Sequence, residues 1–295
     1  MPKSFDFSIS SLQQLAQTDV ARALAEDVGN GDLTASLIDP SRMARARVLA
    51  RESAVVCGQH WVDAALRQCE PQAQITWHVR DGERCAANQV VFEVTGHAQA
   101  LLTAERTALN FLQLLSGVAT KTAAYVDIVA GTKAHIVDTR KTIPGLRLAQ
   151  KYAVRTGGGT NHRVGLYDAV LIKENHIAAA GGIPQVMQRA APLAALANFV
   201  EIEVETLDEL RQALDAGASM VLLDNMGLPA LHEAVRINAA RATPAILEIS
   251  GGVTLDGLRA LAETGVDRIS IGTLTKDVQS IDYSMRFEAL NEAAA

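Results

Sequence analysis

Six short apolar segments in the second half of the chain constrain its fold more than any other feature. They alternate with amphipathic segments of helical periodicity, such as LDELRQALDAGA and LDGLRALAETG. Short apolar runs between turn residues indicate buried strands, and regular alternation of strand and helix indicates a parallel sheet of βα units. The length of 295 residues accommodates two modest domains or one α/β barrel with an attached domain. The predicted strands are residues 135–138, 168–172, 199–204, 220–225, 245–249 and 268–271.

Polar or glycine residues stand at the carboxyl end of each of these strands. Parallel strands bring those ends to one face, which carries the active site in βα barrels, so the residues converge on a single predicted site. They are Asp138, Thr139, Arg140, Lys141, Lys173, Glu203, Asp224, Ser250, Gly251, Gly252, Gly272 and Thr273.

The segment 138–176 concentrates the cations of an otherwise acidic protein, whose net charge is −6. Nucleic acid is not an expected partner, because general binding to phosphates needs a basic face. Arginine presents a planar fork to carboxylate or phosphate, and lysine presents a compact charge, so the mixture suits a polyanionic small molecule. A solvated, charged surface loop is the alternative interpretation. The cations are Arg140, Lys141, Arg147, Lys151, Arg155, Arg163 and Lys173.

The glycines and carboxylates at the strand ends suggest different tasks. The glycines of EISGGV and SIGTL follow the last two strands, where barrels bind phosphate through backbone N–H groups, although structural turns use the same residues. Glu203 and Asp224 are suited to Mg²⁺, with a buried salt bridge as the alternative. In EIEVE, Glu201, Glu203 and Glu205 share one face of the strand, so at least one of them needs a cation or water.

The first third of the chain mixes helical and strand patterns and carries no obvious catalytic cluster. Helices are predicted at residues 9–28 and 59–69. Strands are predicted at residues 44–58, 75–79 and 90–94, with a turn-like DGERCAAN between the last two.

Residues 99–130 form the longest helical pattern, with a predicted break at Ser116 and Gly117. Arg106 lies near the buried stripe of this helix, and by itself it reads as a solvated surface cation. Together these segments predict an α+β layer.

The sequence does not show the features expected of a membrane protein, a secreted protein or a zinc-binding protein. The chain has no run of about eighteen uncharged apolar residues, so a membrane span is not expected. The start MPKSFDFSIS lacks the apolar region of a signal peptide, and we therefore expect a cytoplasmic protein. Cys57, Cys69 and Cys85 lack the spacing of zinc ligands and are predicted to be free thiols.

Several motifs, taken in order along the chain, resemble the quinolinate phosphoribosyltransferase family. They are ERTALNFLQLLSGVAT, DTRKTIPGLR, RTGGGTNHRVGLYDAVLIKENHI, EIEVET, LLDNM and SGGVTLDG. The resemblance runs from about residue 26 to residue 275. It departs from the family pattern at Ile249, where a smaller residue is expected before Ser250.

The resemblance implies a decarboxylating phosphoribosyl transfer in NAD biosynthesis. Phosphoribosyl pyrophosphate and quinolinate would give nicotinate mononucleotide, CO₂ and pyrophosphate, with Mg²⁺ as cofactor. Quinolinate would contact Arg140, His162, Arg163 and Lys173, with Arg106 contributed across a dimer interface. Phosphoribosyl pyrophosphate would contact Lys141, Glu203 and Asp224, with the last two holding Mg²⁺. The remaining implied substrate contacts are Thr139, Ser250, Gly251, Gly252, Ile271, Gly272 and Thr273; the implied catalytic residues are Lys141, Lys173, Glu203 and Asp224.

The fold implied by the resemblance is α/β, with an open parallel βα barrel-like C-terminal domain and an α+β N-terminal domain. The N-terminal domain would comprise residues 1–117, joined by the returning segment 276–295, and the barrel-like domain would comprise residues 118–275. A homodimer is expected, with a higher oligomer as the alternative. No membrane partner is expected.

Three other functions stay open at this point. Another phosphate-binding barrel, such as a nicotinate-specific phosphoribosyltransferase or a sugar-phosphate lyase, would share the strand-end glycines, but nicotinate has one carboxylate and needs fewer cations. A related subfamily associated with molybdenum-transport operons keeps much of the same framework. A barrel that only binds an anionic metabolite is disfavoured, because Glu203 and Asp224 would repel the anion unless a metal joined them.

Overall fold

The computed structural model describes residues 5–289, which divide into two units. The barrel unit contains Thr122–Leu148 and Gly159–Lys276, and the N-terminal unit contains Asp6–Lys121, Ala149–Gly158 and the residues from Asp277 onward. Residues 149–158 thus group with the N-terminal unit, whereas the sequence-based limits placed them in the barrel-like domain. The limits themselves, near residues 117 and 275, stay a prediction.

The N-terminal unit has the predicted α+β character, and its main sheet is antiparallel. Its helices are α1 (Ile9–Val28), α2 (Gln59–Cys69) and α3 (Ala98–Val129), whose residues from Thr122 onward belong to the barrel unit. A 3₁₀ helix spans Ala35–Leu37. Its strands are β1 (Met43–Ala50), β2 (Ala54–Val55), β3 (Gln74–Trp77), β4 (Arg84–Cys85), β5 (Val90–His97) and β12 (Tyr283–Ala289). The main sheet has the order β12, β1, β5, β3, and β2 pairs with β4. Strand β4 lies within DGERCAAN, which had indicated only a turn.

Tyr152 shows why residues 149–158 group with the N-terminal unit. Its hydroxyl donates to Oδ2 of Asp81 at 2.8 Å, and its ring centroid lies 5.7 Å from that of Trp61. Asp81 also accepts hydrogen bonds from two backbone N–H groups at the start of α2. Trp61 is fully buried, and its Nε1 donates to Asp19 of α1 at 3.0 Å. The segment is therefore anchored by polar and aromatic contacts to α2.

The predicted break in the long helix is wrong, because α3 continues through Ser116 and Gly117. The Ser116 hydroxyl accepts a hydrogen bond from the backbone N–H of Cys57 at 3.0 Å, which uses its polarity without ending the helix. A Cβ on Gly117 would lie 2.3 Å from the carbonyl oxygen of Gln279. Glycine at this position therefore permits a close backbone approach.

The barrel unit contains six strands and the helices between them. The strands are β6 (His135–Val137), β7 (Val170–Ile172), β8 (Val200–Val204), β9 (Met220–Asp224), β10 (Ile246–Ser250) and β11 (Arg268–Ser270). The helices are α4 (Arg147–Thr156), α5 (Glu174–Ala180), α6 (Ile183–Ala190), α7 (Leu207–Asp215), α8 (Leu228–Ala239), α9 (Leu255–Glu263) and α10 (Thr273–Lys276), with a 3₁₀ helix at Ala191–Ala195. From Ala149 onward, α4 belongs to the N-terminal unit.

The six strands form one sheet in the order β6, β11, β10, β9, β8, β7, and every pairing is parallel. Strands β6 and β7 follow each other in the chain but stand at the two edges of this sheet. The arrangement confirms the predicted open, parallel, barrel-like fold.

The strand register places three charged residues and one leucine in a row on one face of the sheet. Glu203 lies beside Leu222, Leu222 beside Glu248, and Glu248 beside Arg268. Residues paired in parallel strands project to the same side, so these four share a face. The opposite face is apolar and buried, and it carries Ile202, Val221, Leu247, Ile249 and Ile269. Ile249, the departure from the family pattern, is therefore a buried packing residue.

The helices and cysteines agree with two further expectations. Over residues 5–289, none of the helices combines the length and the apolar character that crossing a bilayer requires. Cys57, Cys69 and Cys85 are free thiols, as predicted. Burial raises the pKa of all three thiols, which favours their protonated form.

Candidate active site

Two cavities lie at the carboxyl ends of the barrel strands. The arginine cavity has a volume of about 180 Å³ and is lined by residues that include Arg140, His162, Arg163 and Glu248. The glycine cavity has a volume of about 600 Å³ and is lined by residues that include Asp224, Gly251, Gly252, Ile271, Gly272 and Thr273. The residues that line both cavities are Thr139, Lys141, Lys173, Glu203, Ser250 and Ser270.

The structure thus brings together every predicted site residue of the barrel unit. Arg106 differs, because it is exposed on α3 in the N-terminal unit and lines neither cavity. Its predicted role across a dimer interface stays a prediction.

Arg140 and Arg163 bring two positive charges to the arginine cavity. Desolvation, followed by the nearby charge of Arg140, lowers the pKa of the Arg163 guanidinium. The Nε of Arg140 is buried without a hydrogen-bond partner. Arg147 holds the surrounding loop by donating to the carbonyl oxygens of Val164 at 3.1 Å and of Arg140 at 3.4 Å. Two neighbouring cations of this kind favour an anion that carries more than one charge.

Lys141 and Lys173 are exposed cations on the wall that the two cavities share. The Lys141 backbone is fixed at both polar groups: its N–H donates to Oγ1 of Thr139 at 3.0 Å, and its carbonyl accepts from Oγ1 of Thr275 at 2.7 Å. Nζ of Lys173 lies 2.5 Å from Oε2 of Glu203. This ion pair agrees with the expectation that at least one glutamate of EIEVE needs a cation or water.

Asn225 holds the carboxylate of Asp224 at the end of β9. Its Nδ2 donates to Oδ2 of Asp224 at 2.7 Å, and its backbone N–H donates to the carbonyl of Ser250 at 3.0 Å. Asn225 has a φ of 54°, which few residues other than glycine adopt. Gly251 has a φ of 97°, and a Cβ there would lie 2.1 Å from Oδ1 of Asn225. The glycine is therefore required by this turn, whatever it binds.

His162 is buried, and both of its ring nitrogens have protein partners. Nδ1 accepts a hydrogen bond from the backbone N–H of Arg163 at 2.8 Å, so Nδ1 is unprotonated. Nε2 then carries the ring proton and donates it to Oε2 of Glu201 at 2.8 Å. The backbone N–H of His162 donates to Oδ1 of Asp138, also at 2.8 Å. The ring is further packed edge-on against Phe199, with centroids 5.2 Å apart.

Glu248 and Arg268 complete a buried network around His162. Nε of Arg268 donates to Oε2 of Glu248 at 2.7 Å, and Oε1 of Glu248 lies 3.6 Å from Nε2 of His162. Burial raises the pKa of Glu201 to about 7, and burial together with the charge of Glu201 raises the pKa of Glu248 to about 7. Oε1 of each glutamate lacks a hydrogen-bond partner. The environment therefore favours a neutral carboxyl group far above the pH at which glutamate usually ionises.

Both parts of the chain match one known family. Residues 32–116 match the family described as quinolinate phosphoribosyl transferase, N-terminal domain, and residues 118–286 match its C-terminal domain. The chain belongs to the quinolinate phosphoribosyltransferase family.

Individual members of the quinolinate phosphoribosyltransferase family resemble the chain over nearly its whole length. The probable nicotinate-nucleotide pyrophosphorylase (carboxylating) of Bacillus subtilis (strain 168) is 41% identical over 91% of this chain and 92% of that protein. The nicotinate-nucleotide pyrophosphorylase (carboxylating) of Mycobacterium leprae (strain TN) is 41% identical over 92% of this chain and 96% of that protein. The structure of the nicotinate-nucleotide pyrophosphorylase from Francisella tularensis has a TM-score of 0.90 and 44% identity, covering 94% of this chain and 97% of that one.

Sequence reasoning missed three residues that shape the site of this family member: Asn225, Glu248 and Arg268. The signal for Glu248 was present, since the alternation in ILEIS places it on the same face as Ser250. Asn225 directly follows Asp224 at a strand end, where polar residues had already been singled out. Arg268 begins a strand whose register against β10 could not be read from the sequence.

The residues of the quinolinate phosphoribosyltransferase site offer two sets of metal-ligand atoms. In the part of the chain that the structure describes, His162, Glu201 and Glu248 have ligand atoms within 4.8 Å of one another. Arg268 already donates to Glu248, so a metal ion there would face a fixed positive charge. Glu203 and Asp224 line the glycine cavity, and their carboxylate oxygens are the ligands that Mg²⁺ prefers. Lys173 places a positive charge beside Glu203 as well. The oxygen donors match the chemistry of the predicted Mg²⁺, and its binding at Glu203 and Asp224 stays a prediction.

Proposed function

We propose that this chain transfers the phosphoribosyl group of phosphoribosyl pyrophosphate to the ring nitrogen of quinolinate and removes the 2-carboxylate. The products are nicotinate mononucleotide, CO₂ and pyrophosphate, as part of NAD biosynthesis. One observation carries the proposal: a cavity lined by arginines adjoins a cavity lined by glycines, and the two share Lys141, Lys173 and Glu203. A dianionic acceptor and a phosphorylated donor would then meet at the shared wall.

Quinolinate occupies the arginine cavity in this proposal. Its two adjacent carboxylates match the charges of Arg140, Arg163 and Lys173, all of which line that cavity. Nicotinate, with one carboxylate, would leave part of this positive charge without a counter-ion, and the cation count therefore favours quinolinate over the nicotinate-specific alternative.

Phosphoribosyl pyrophosphate occupies the glycine cavity. Ser250 ends β10 and Gly251 and Gly252 follow it, while Ile271, Gly272 and Thr273 follow β11, and these positions suit the 5′-phosphate. Thr139 and Lys141 line the same cavity beside the reacting carbon, where Lys141 stabilises the departing pyrophosphate.

Glu203 and Asp224 would hold Mg²⁺ together with the donor. Bound Mg²⁺ would supply positive charge to offset that of the pyrophosphate group. The carboxylates themselves favour the positive charge that builds on the ribose as pyrophosphate leaves. Positioning and electrostatics then suffice, and no covalent bond to the protein is needed.

Decarboxylation follows from the chemistry of the product ring. Once the ribose is attached, the ring nitrogen is cationic and stabilises the electron pair that stays on C2 when the bond to CO₂ breaks. A proton from solvent then adds to C2 and gives nicotinate mononucleotide. Arg140 and Lys173 hold the carboxylates in place during this step.

The assembly and location of the protein are parts of the same proposal. A homodimer, alone or within a higher oligomer, would supply Arg106 to the arginine cavity of the partner. The cytoplasmic location expected from the sequence likewise stays a prediction.

Release of labelled CO₂ tests the function directly. The protein is incubated with phosphoribosyl pyrophosphate, Mg²⁺ and quinolinate labelled in the 2-carboxylate, beside a parallel assay for nucleotide formation from nicotinate. Arg140→Ala should abolish release, whereas Arg189→Ala removes an exposed cation on α6 and should not.

Each outcome of this assay separates the alternatives. Release that needs all components and Arg140 supports the proposal. Nucleotide formed only from nicotinate supports the nicotinate-specific function. Binding of quinolinate without turnover in either assay supports the molybdenum-linked or binding-only functions.

A further inference from the structure

We propose that His162 positions Arg163 for quinolinate and does not bind quinolinate through a ring nitrogen, and that Glu201, Glu248 and Arg268 hold His162 in that role. The inference rests on the proposed function, because it names how one wall of the quinolinate site is built. It makes Glu201, Glu248 and Arg268 positioning residues for that reaction.

The hydrogen bonds of His162 fix the tautomer of its ring. A backbone N–H can only donate, so the 2.8 Å contact from Arg163 requires a lone pair on Nδ1. The ring proton therefore lies on Nε2, where Oε2 of Glu201 accepts it at 2.8 Å. Both nitrogens are already used inside the protein.

Releasing Nε2 of His162 to a ligand would leave Glu201 without a hydrogen bond. If Nε2–H turned to a carboxylate of quinolinate, Glu201 would lose its hydrogen bond while remaining completely buried. Oε1 of Glu201 has no hydrogen-bond partner, so the loss would leave both oxygens of that carboxyl group unsatisfied. An unsatisfied buried polar group is costly, and the ring is therefore held where it is.

Glu248 and Arg268 support the position of the His162 ring. Oε1 of Glu248 lies 3.6 Å from Nε2 on the same side of the ring as Glu201, and Arg268 fixes the other oxygen of Glu248 at 2.7 Å. Strand register holds Glu248 and Arg268 side by side on β10 and β11. The imidazole therefore rests on a rigid part of the barrel.

The backbone hydrogen bonds around Arg163 connect this network to the arginine cavity. The chain around Arg163 is fixed on both sides: Asp138 accepts from the N–H of His162, and Asp168 accepts from the N–H groups of Val164 and Gly165, each at 2.8 Å. Nδ1 of His162 fixes the remaining N–H, that of Arg163 itself. Four consecutive backbone N–H groups thus have side-chain acceptors, and they set where the Arg163 guanidinium emerges.

Paired amide substitutions separate positioning from direct binding. In His162→Asn the side-chain oxygen takes the place of Nδ1 and can still accept from Arg163. In His162→Gln the amide reaches toward Glu201, but the acceptor for Arg163 is lost. We expect His162→Gln to raise the KM for quinolinate roughly tenfold, the effect of one lost hydrogen bond of about 1.4 kcal/mol, and His162→Asn to raise it less than about threefold.

The control measurements are the KM for phosphoribosyl pyrophosphate and the behaviour of His232→Gln, which changes an exposed histidine on α8. Both should stay at the wild-type value. Equal increases in the two His162 variants, a larger increase in His162→Asn, or no increase in either would overturn the proposal.

Nitrogen NMR of the wild-type protein labelled with ¹⁵N-histidine tests the tautomer without any assay of turnover. The signals of His162, identified by their loss in His162→Asn, should show a proton on Nε2 and none on Nδ1 near neutral pH, with or without quinolinate. A proton on Nδ1, or a change of tautomer when quinolinate binds, would overturn the proposal. Because this result needs no catalysis, failure of the positioning role is distinguishable from failure of the proposed function.

Discussion

Nζ of Lys173 and Oε2 of Glu203 lie 2.5 Å apart, and both residues line the arginine and the glycine cavities. Each side chain offsets the charge of the other on the wall between the two cavities. The affinity of the arginine cavity for an anion and the support for charge in the glycine cavity are therefore connected through this pair.

Replacing Glu203 with Gln should separate these two effects. We expect kcat to fall on the order of 100-fold, because the carboxylate that favours positive charge on the ribose is gone. The affinity for quinolinate should not fall below that of the wild-type protein, because Lys173 loses its counter-charge. Steady-state kinetics and calorimetric binding of quinolinate measure the two quantities. Glu205→Gln is the matched control at an exposed position, and weaker quinolinate binding by Glu203→Gln would contradict the prediction.

The contact between Gly251 and Asn225 predicts an unusually large effect of one methyl group. Gly251→Ala and Gly131→Ala both place a side chain at positive φ, 97° and 80°, which costs about 1–2 kcal/mol. Only Gly251 has a neighbour in the way, because nothing lies within 4 Å of a Cβ at Gly131. Urea unfolding should therefore show a greater loss of stability for Gly251→Ala, together with a raised KM for phosphoribosyl pyrophosphate. Equal losses in the two variants would argue against this account.

The buried carboxyl of Glu248 predicts how stability changes with pH. Burial raises its pKa from 4.5 to about 7, so between these values the folded chain keeps a proton that the unfolded chain has lost. A rise in pH through this window therefore favours unfolding, and the loss is on the order of 3 kcal/mol for one such group.

In Glu248→Gln this contribution is absent, and the side chain can still accept from Arg268. The free energy of unfolding of the variant should therefore fall less between about pH 5 and about pH 7.5 than that of the wild-type protein. Urea unfolding at the two pH values provides the measurement. Glu174→Gln, at an exposed position on α5, serves as control. An unchanged pH dependence in Glu248→Gln would refute the prediction.

Subunit mixing tests the proposed contribution of Arg106 across a dimer. Arg106→Ala and Arg140→Ala should each be inactive as homodimers. A mixed dimer contains one site with both arginines intact if they come from different subunits, so co-expression should restore about a quarter of wild-type activity. If both arginines serve the site of their own subunit, mixing restores nothing.

The sequence by itself determined the class of fold and most members of the site. Apolar strands alternating with amphipathic helices have one economical arrangement, a parallel sheet with its strand ends on one face, so Arg140, Lys173, Glu203 and Asp224 could be grouped from their positions in the chain. Local patterns were less informative where the identity of a residue is explained by a contact with a residue far away in the sequence. Gly117 indicated a helix break, yet its place in α3 is explained by the carbonyl of Gln279.

Only the tertiary structure decided how the buried polar residues are used. The partners of His162 lie on β8 and β10, far away in sequence, and Arg268 reaches Glu248 through the register of β11 against β10. Period-two alternation shows which residues of one strand share a face, but it does not set the register between strands. That register determines which side chains become hydrogen-bond partners. For that reason the motif that suggested His162 as a ligand could not reveal that both of its ring nitrogens are already taken.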